Sequence, residues 1–154
     1  MRPLLAAAFT ACSVAVLGCG SLPSSKECTL IGCEQSAKID FSFRDPGDYV
    51  FEVTVDGAKT TCRATLPLPQ APPQACDRTD VLLTLVGSAL PANEQSIGGL
   101  TLHTSTAKTV VIRATRDGAV IGEKTIDLAW TVRPGPNGPD CEPKECRSAT
   151  ATFP

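Results

Sequence analysis

The 154-residue chain has little of what most catalytic and nucleic-acid-binding sites need. It contains one histidine and one tryptophan, and no serine lies in the G-x-S-x-G pattern of a nucleophile elbow. The alternation around Leu102 predicts that His103 points to solvent, with no partner for catalysis or metal binding. Lysine and arginine form no cluster and the net charge is −2, which argues against nucleic acid. The sequence therefore predicts no enzyme, no cofactor and no nucleic-acid partner.

Long apolar runs are also scarce, and the first one lies at the start of the chain. The uncharged run Leu4 to Gly18 follows Arg2, which is the layout of a secretory signal and too short to span a bilayer comfortably. It ends in Val16-Leu17-Gly18-Cys19, which resembles the lipobox of bacterial lipoproteins. The resemblance departs at Leu17, which is bulkier than the alanine or serine more usual there.

The resemblance implies an anchor at Cys19. Residues 1–18 would be a cleaved signal peptide, and the sulfur of Cys19 would carry a diacylglyceryl group beside an acylated N-terminus. Gly20 rather than aspartate follows, which by the sorting habit of Gram-negative lipoproteins implies the outer membrane. Residues 19–27 would then be the lipidated cysteine and a tether of roughly 15 Å. The alternative is an ordinary secretion signal, with Cys19 or Cys12 as apolar filler.

Six cysteines follow the tether, at Cys28, Cys33, Cys62, Cys76, Cys141 and Cys146. An even number in an exported chain predicts three disulfides. The alternative is a zinc site, because two of the spacings are C-x4-C. Metal ribbons usually use the tighter C-x2-C, and exported thiols tend to oxidise, so the sequence favours disulfides and no metal.

Residues 28–154 are predicted to form a single domain of short strands. Alternating apolar residues and apolar runs bounded by turns predict eight of them: Ala37–Phe43, Asp48–Val55, Lys59–Leu66, Asp80–Val86, a short strand from Leu100, Lys108–Thr115, Ala119–Val132 and Arg147–Phe153. Asp56-Gly57 and Asp117-Gly118 indicate tight hairpins, and Gly122 indicates a bulge. The pattern predicts an all-β, immunoglobulin-like, two-sheet antiparallel sandwich of about 7–8 strands, stapled by disulfides.

Two predictions concern where particular residues lie in this sandwich. The segment Asp80–Val86 is apolar on both faces, so we expect it to lie centrally between the sheets. Trp130 shares a face with Ile126, Leu128 and Val132, which predicts a core residue rather than a platform for carbohydrate.

The expected fold suggests how the cysteines pair. Cys62 and Cys76 flank strands that we expect to be neighbours. The first and last strands of immunoglobulin-like sandwiches often run parallel, which would bring Cys33, just before the first strand, close to Cys146, just before the last. These considerations predict Cys62–Cys76, Cys33–Cys146 and Cys28–Cys141. Local closure of each C-x4-C spacing remains open at this point.

Other candidate sites are loops and carboxylate pairs. Loops 67–74, 87–99 and 134–143 are candidates for contact with a protein or small ligand, because loops on a rigid frame often carry recognition. The pairs Asp45/Asp48 and Asp77/Asp80 offer oxygen atoms to calcium, although aspartate beside proline or glycine is ordinary turn chemistry.

Three stretches resemble a group of uncharacterised bacterial lipoproteins, found particularly in myxobacteria: Cys28-Thr-Leu-Ile-Gly-Cys33, Asp48 to Gly57, and Asn137-Gly-Pro-Asp-Cys141 followed by Cys146-Arg147. The resemblance implies a location and a domain type, but no activity or ligand. We therefore expect a membrane-anchored, non-enzymatic envelope module that is structural or binds a partner. The alternatives are a periplasmic or surface inhibitor or ligand-binding factor acting through its loops, and a small hydrolase.

Overall fold

The computed structural model describes Cys28 and residues 31–70, 75–138 and 140–154. The predicted signal peptide, Cys19, the tether and positions 71–74 of the first proline-rich loop lie outside these residues. Within the described part, no helix is long and apolar enough to cross a membrane.

Nine strands and one 3-10 turn form the described fold: β1 (Ser36–Phe43), β2 (Gly47–Val55), β3 (Ala58–Leu66), β4 (Val81–Val86), the 3-10 turn Ala92–Glu94, β5 (Ser96–Leu102), β6 (Thr109–Arg116), β7 (Ala119–Asp127), β8 (Thr131–Pro134) and β9 (Glu145–Thr152). One sheet has the order β4-β5-β1-β9-β8 and the other β3-β2-β6-β7. The prediction of an all-β, two-sheet domain is confirmed.

Local turn chemistry explains the two hairpins. Asp56 and Gly57 have φ of 44° and 89° between β2 and β3, and Asp117 and Gly118 have φ of 51° and 82° between β6 and β7. Aspartate and glycine are residues that adopt positive φ at low cost, so these dipeptides turn the chain back on itself. Both predicted hairpins are confirmed.

The bulge in β7 coincides with a close contact between the two sheets. Ala114 pairs with Gly122 and Thr115 with Val120, so β7 holds one extra residue at this point. A Cβ on Gly122 would lie 2.9 Å from the ring of Phe153, which directly follows β9. Glycine therefore lets the two sheets approach each other here.

The predicted strand Ala119–Val132 is in fact two strands. The chain leaves one sheet after β7, passes through residues 128–130 and joins the other sheet as β8. Trp130 lies in this crossing, half-buried against the core, and its indole Nε1 donates to the carbonyl oxygen of Ala107 at 2.7 Å. Val132, beyond the crossing, is 49% exposed, so the prediction that it faces the core was wrong.

The segment predicted to lie centrally is an edge strand. Strand β4 pairs with β5 and ends its sheet. Leu83 and Leu85 pack against the core, whereas Leu82 and Val86 on the opposite face are 47% and 45% exposed. An apolar run on both faces usually indicates a central strand, but here one apolar face looks outward.

The first and last strands pair in the direction that the sequence predicted. Strands β1 and β9 run parallel, with Ala37 opposite Ala149. Strands β1 to β7 also have an order that is found in immunoglobulin-like sandwiches. In that fold the first strand of the domain would lie beside β1, whereas here β9 occupies this position and β8 pairs with β9. The immunoglobulin-like type therefore stays a prediction.

Five aromatic rings join the two sheets. Phe41 of β1 stacks on Phe51 of β2 with ring centroids 5.2 Å apart, and Phe43 lies 5.6 Å from Tyr49. Phe153 meets Phe41 edge-on at 6.0 Å. Aromatic pairs of this geometry add to the free energy gained from burial, so the rings fix the two sheets at one separation.

Candidate functional site

The sandwich has two ends with different contents. We call the end with the starts of β1 and β9 the Cys28 end, and the end with the start of β2 and the end of β3 the Gly47 end. Loop 134–143 lies at the Cys28 end, and loops 67–70 and 87–95 lie at the Gly47 end. The prediction that loop 87–99 extends to residue 99 was wrong, because residues 96–99 belong to β5.

Two disulfides hold the Cys28 end together. Cys28 pairs with Cys141 and Cys33 with Cys146, with Cα atoms 5.8 Å and 5.5 Å apart. The amide of Asn137 also donates to the carbonyl oxygen of Ile31 at 3.0 Å. The segment that leads into the domain is therefore cross-linked to loop 134–143.

The third disulfide lies on the edge of β3. Cys62 and Cys76 face each other across an antiparallel bridge, with Cα atoms 3.9 Å apart. Backbone N–H of Arg63 donates to Ala75, so the segment after the proline-rich loop covers part of the β3 edge. These three pairs are the ones that the sequence predicted, and disulfides indicate an oxidising, extracytoplasmic compartment.

A buried glutamine joins two predicted recognition loops at the Gly47 end. Gln95 is 6% exposed and its Oε1 accepts a hydrogen bond from the backbone N–H of Leu68 at 2.6 Å. Its Nε2 donates to the carbonyl oxygen of Leu90 at 2.8 Å. One side chain therefore holds loops 67–70 and 87–95 in a fixed relation.

A groove of about 210 Å³ opens beside these loops, between the edges of the two sheets. Its lining is mainly apolar and comes from β2, β3, β4 and the proline-rich loop: Asp48, Tyr49, Val50, Arg63, Ala64, Thr65, Leu68, Pro69 and Leu85. A concave, mostly apolar site with a few polar groups is the usual form of a ligand pocket. The groove is the candidate functional site.

The charged residues of the groove are held by neighbours. Asp48 accepts a hydrogen bond from the hydroxyl of Thr65 at 2.7 Å, and Arg63 pairs with Asp77 at 3.4 Å. Both contacts are exposed, so the two charges remain available to a ligand's polar atoms. The groove can therefore accept an apolar group and orient a polar one beside it.

The carboxylate pairs do not converge on a cation. Asp45 pairs with Arg116, and Asp80 pairs with Arg78 at 2.5 Å. The hydrogen bond from Arg78 lowers the pKa of the Asp80 carboxyl below its ordinary value. These aspartates are bound to arginines, which is ordinary ion pairing at turns.

Histidine and cysteine contribute no metal cluster in the described residues. The structure places His103 at the surface, as the sequence predicted. The two C-x4-C spacings pair with each other across the domain and do not present four thiolates. Among the residues described, no three histidine, cysteine, aspartate or glutamate side chains are placed to hold a metal ion.

Comparison of the chain with protein-family models, curated proteins and solved structures found no match.

The groove itself was not predicted from the sequence. Its walls include Ala64, Leu68 and Leu85, which come together only because β3 and β4 are the neighbouring edges of two sheets. The one available signal was the proline-rich loop 67–74, whose first residues form a wall of the groove. Loop 134–143, which has a similar composition, lies at the opposite end.

Proposed function

We propose that the protein is a non-enzymatic lipoprotein, anchored by acylated Cys19 to the outer membrane, that binds a partner through its Gly47-end groove. The position of the groove at the end opposite Cys28 supports this proposal most directly. A tether that enters at one end leaves the other end accessible. The lipobox-like Val16-Leu17-Gly18-Cys19 supports the anchor.

The dimensions are consistent with this arrangement. Strand β1 has eight residues, and at ~3.3 Å per residue it spans about 26 Å. The disulfides Cys28–Cys141 and Cys33–Cys146 hold the segment that precedes β1 against the Cys28 end of the sandwich. The groove therefore keeps its distance from the point of attachment, however the domain leans on the membrane.

The groove suits an apolar group of a partner, such as an aromatic or branched side chain, with a polar atom nearby. Its apolar wall of Val50, Leu68 and Leu85 would desolvate that group, while Asp48 and Arg63 would fix its orientation. The described lining residues include no nucleophile paired with a base, so binding rather than turnover is proposed.

The anchor is tested by the intact mass of the full chain extracted from membranes, measured after thiol alkylation without reduction. We expect acyl groups on a chain that begins at Cys19, with no alkylated thiol. Cys19→Ala should abolish both acylation and membrane association, and Gly20→Asp should move the protein between membranes without changing its acylation. An unacylated wild-type chain in the soluble fraction would overturn the anchor.

The groove is tested with the dye 1-anilinonaphthalene-8-sulfonate, whose fluorescence rises on apolar surfaces. Ala64→Phe fills the groove, whereas Thr150→Phe adds the same ring on the exposed face of β9 and serves as the control. We expect saturable dye fluorescence in the wild type and in Thr150→Phe, and its loss in Ala64→Phe. Equal fluorescence in all three would show that the groove is not a binding site.

A second candidate is an inhibitor that presents its loops rigidly to an enzyme. The hydrogen bonds of Gln95 to Leu68 and Leu90 favour it, because loops held in one conformation lose little entropy on binding. The two candidates are distinguished by mutation. Filling the groove with Ala64→Phe should leave a loop-mediated contact intact, whereas Leu90→Ala, at an exposed position of loop 87–95 that does not line the groove, should impair it.

A further inference from the structure

The free edge of β4 differs from every other sheet edge in the described residues. Strand β3 is partly covered by residues 75–77, and β7 carries charged residues at Glu123, Lys124 and Asp127. Strand β8 has four residues and ends in Arg133 and Pro134. These are the features by which proteins prevent unwanted strand pairing.

Strand β4 has none of these features. Its six residues, Val-Leu-Leu-Thr-Leu-Val, include no charge and no proline. It pairs with β5 on one side, and no described segment pairs with it on the other. Leu82 and Val86 are about half-exposed on the outer face of the sheet, next to this free edge.

The hydrogen-bond pattern shows which backbone groups of β4 are unpaired. Backbone N–H of His103 donates to Asp80 at 2.8 Å, and this pair continues the register in which Val81 lies opposite Leu102. In an antiparallel pair, hydrogen-bonded and non-hydrogen-bonded positions alternate. The even-numbered residues of β4 therefore bond β5, and Val81, Leu83 and Leu85 direct their N–H and C=O groups to the free edge.

The sequence of β4 is self-complementary about Thr84. In an antiparallel pair of two β4 strands with Thr84 on a twofold axis, Leu83 faces Leu85 and Leu82 faces Val86 of the other copy. Leu83 of one copy and Leu85 of the other then form hydrogen-bonded pairs, because the backbone N–H and C=O groups of these residues point to the free edge. Apolar residues meet apolar residues, threonine meets threonine, and no like charges oppose each other.

We propose that β4 is an interface between two copies of this chain, which pair antiparallel about Thr84 and join their five-stranded sheets into one of ten strands. A strand of six residues spans ~20 Å and one sheet layer is ~10 Å thick, so the contact through β4 covers roughly 200 Å² per copy. That is about a quarter of one partner's share of a standard interface. The dimer is therefore weak and reversible, and its fraction rises with protein concentration.

The membrane anchor is compatible with this dimer, but the dimer does not rest on it. Because the paired strands run in opposite directions, the Cys28 ends of the two copies lie at opposite ends of the joined sheet. The eight tether residues 20–27 reach ~26–29 Å when extended. Both copies can thus be attached to one membrane when their strands lie along its surface.

Cysteine cross-linking of the full chain in membranes tests the register. Thr84→Cys places two cysteines at a non-hydrogen-bonded pair, where Cα atoms are ~4.5 Å apart, within the range of a disulfide. Leu82→Cys is the matched control, because it lies on the same strand and face, but the two copies of residue 82 would be roughly 14 Å apart along the strands. Ser148→Cys, exposed on β9, reports random collision.

We expect mild oxidation to give a reductant-sensitive homodimer on a non-reducing gel with Thr84→Cys, at least tenfold above Leu82→Cys and Ser148→Cys. Equal yields from the three variants, no dimer from Thr84→Cys, or a cross-link from Thr84→Cys to a protein of different mass would each overturn the proposal.

Sedimentation of the detergent-solubilised full chain provides a second test that introduces no cysteine. The wild type should show a dimer fraction that rises with protein concentration. Thr84→Lys places two ammonium groups together at the axis and should remain monomeric, with an unchanged melting temperature because residue 84 is exposed. A concentration-dependent dimer in Thr84→Lys would exclude this interface.

Discussion

Asp56 connects the β2–β3 turn to the start of β6. Its carboxylate accepts hydrogen bonds from the backbone N–H groups of Lys108 at 3.0 Å and Thr109 at 2.9 Å. The hydrogen bond from Thr109, and then that from Lys108, lower the pKa of the Asp56 carboxyl below its ordinary value. The folded-state pKa then lies below the unfolded one, so the stabilisation is present above the unfolded pKa and is lost as pH falls through the folded pKa.

Asp56→Asn should therefore lower the melting temperature at pH 7, and the difference from wild type should shrink as pH falls below about 4. Asparagine also tolerates positive φ, so the turn itself is kept. Melting followed by circular dichroism at pH 7, 5 and 3 checks this. Glu94→Gln, which removes an exposed carboxylate in the 3-10 turn, is the control. A difference in melting temperature between Asp56→Asn and wild type that stays constant with pH would show that the ionised Asp56 carboxylate is not the source of this stabilisation.

Gln95→Ala tests the contact between the two loops at the Gly47 end. The substitution leaves the buried N–H of Leu68 without its partner, which costs about 1–3 kcal/mol. Urea unfolding should show this loss, while the exposed Gln70→Ala should change stability little. Equal effects of the two substitutions would mean that Gln95 does not hold the loops together.

At the scale of elements, two disulfides close the same loop. Cys28–Cys141 and Cys33–Cys146 each span 113 positions. Removing one leaves the long loop closed by the other and opens a ring of roughly 12 residues, which the chain-entropy relation values at about 3 kcal/mol. Removing both also opens the long loop, for a total of about 7–8 kcal/mol.

We therefore expect the two disulfides to be non-additive. Cys28→Ser/Cys141→Ser and Cys33→Ser/Cys146→Ser should each destabilise the protein by less than half of what the fourfold variant loses. Denaturant unfolding of the three variants measures this. A fourfold loss equal to the sum of the two double variants would indicate that the disulfides act through local strain rather than through the shared loop.

What the sequence could predict at this scale was local. Asp56-Gly57 and Asp117-Gly118 determine their hairpins through residues that tolerate positive φ, so both were predictable. The edge position of β4 and the crossing at residues 128–130 were not, because they depend on which distant strand each segment meets. The groove was hidden for the same reason: residues 64, 68 and 85 share it only after the two sheets have packed.

At the scale of the whole molecule, we expect the stability of the domain to depend on its three disulfides and hence on an oxidising compartment. The buried core is one cluster that extends across both sheets and includes Cys62 and Cys76. A domain of this size is typically stable by 5–15 kcal/mol. The two long-range disulfides together with Cys62–Cys76, which closes a loop of 14 positions worth about 3 kcal/mol, contribute a similar amount on the chain-entropy relation.

The reduced protein should consequently be largely unfolded at 25 °C. Full reduction and alkylation of the extracted chain should remove the near-ultraviolet circular dichroism of the packed aromatic rings and abolish cooperative melting. The control is the same chain alkylated without reduction, which should retain both signals. If the reduced and alkylated chain still melts cooperatively above about 50 °C, where mesophile domains typically unfold, the hydrophobic core alone is sufficient and folding does not require an oxidising compartment. Loss of both signals would instead mean that the domain is stable only where its cysteines can be oxidised.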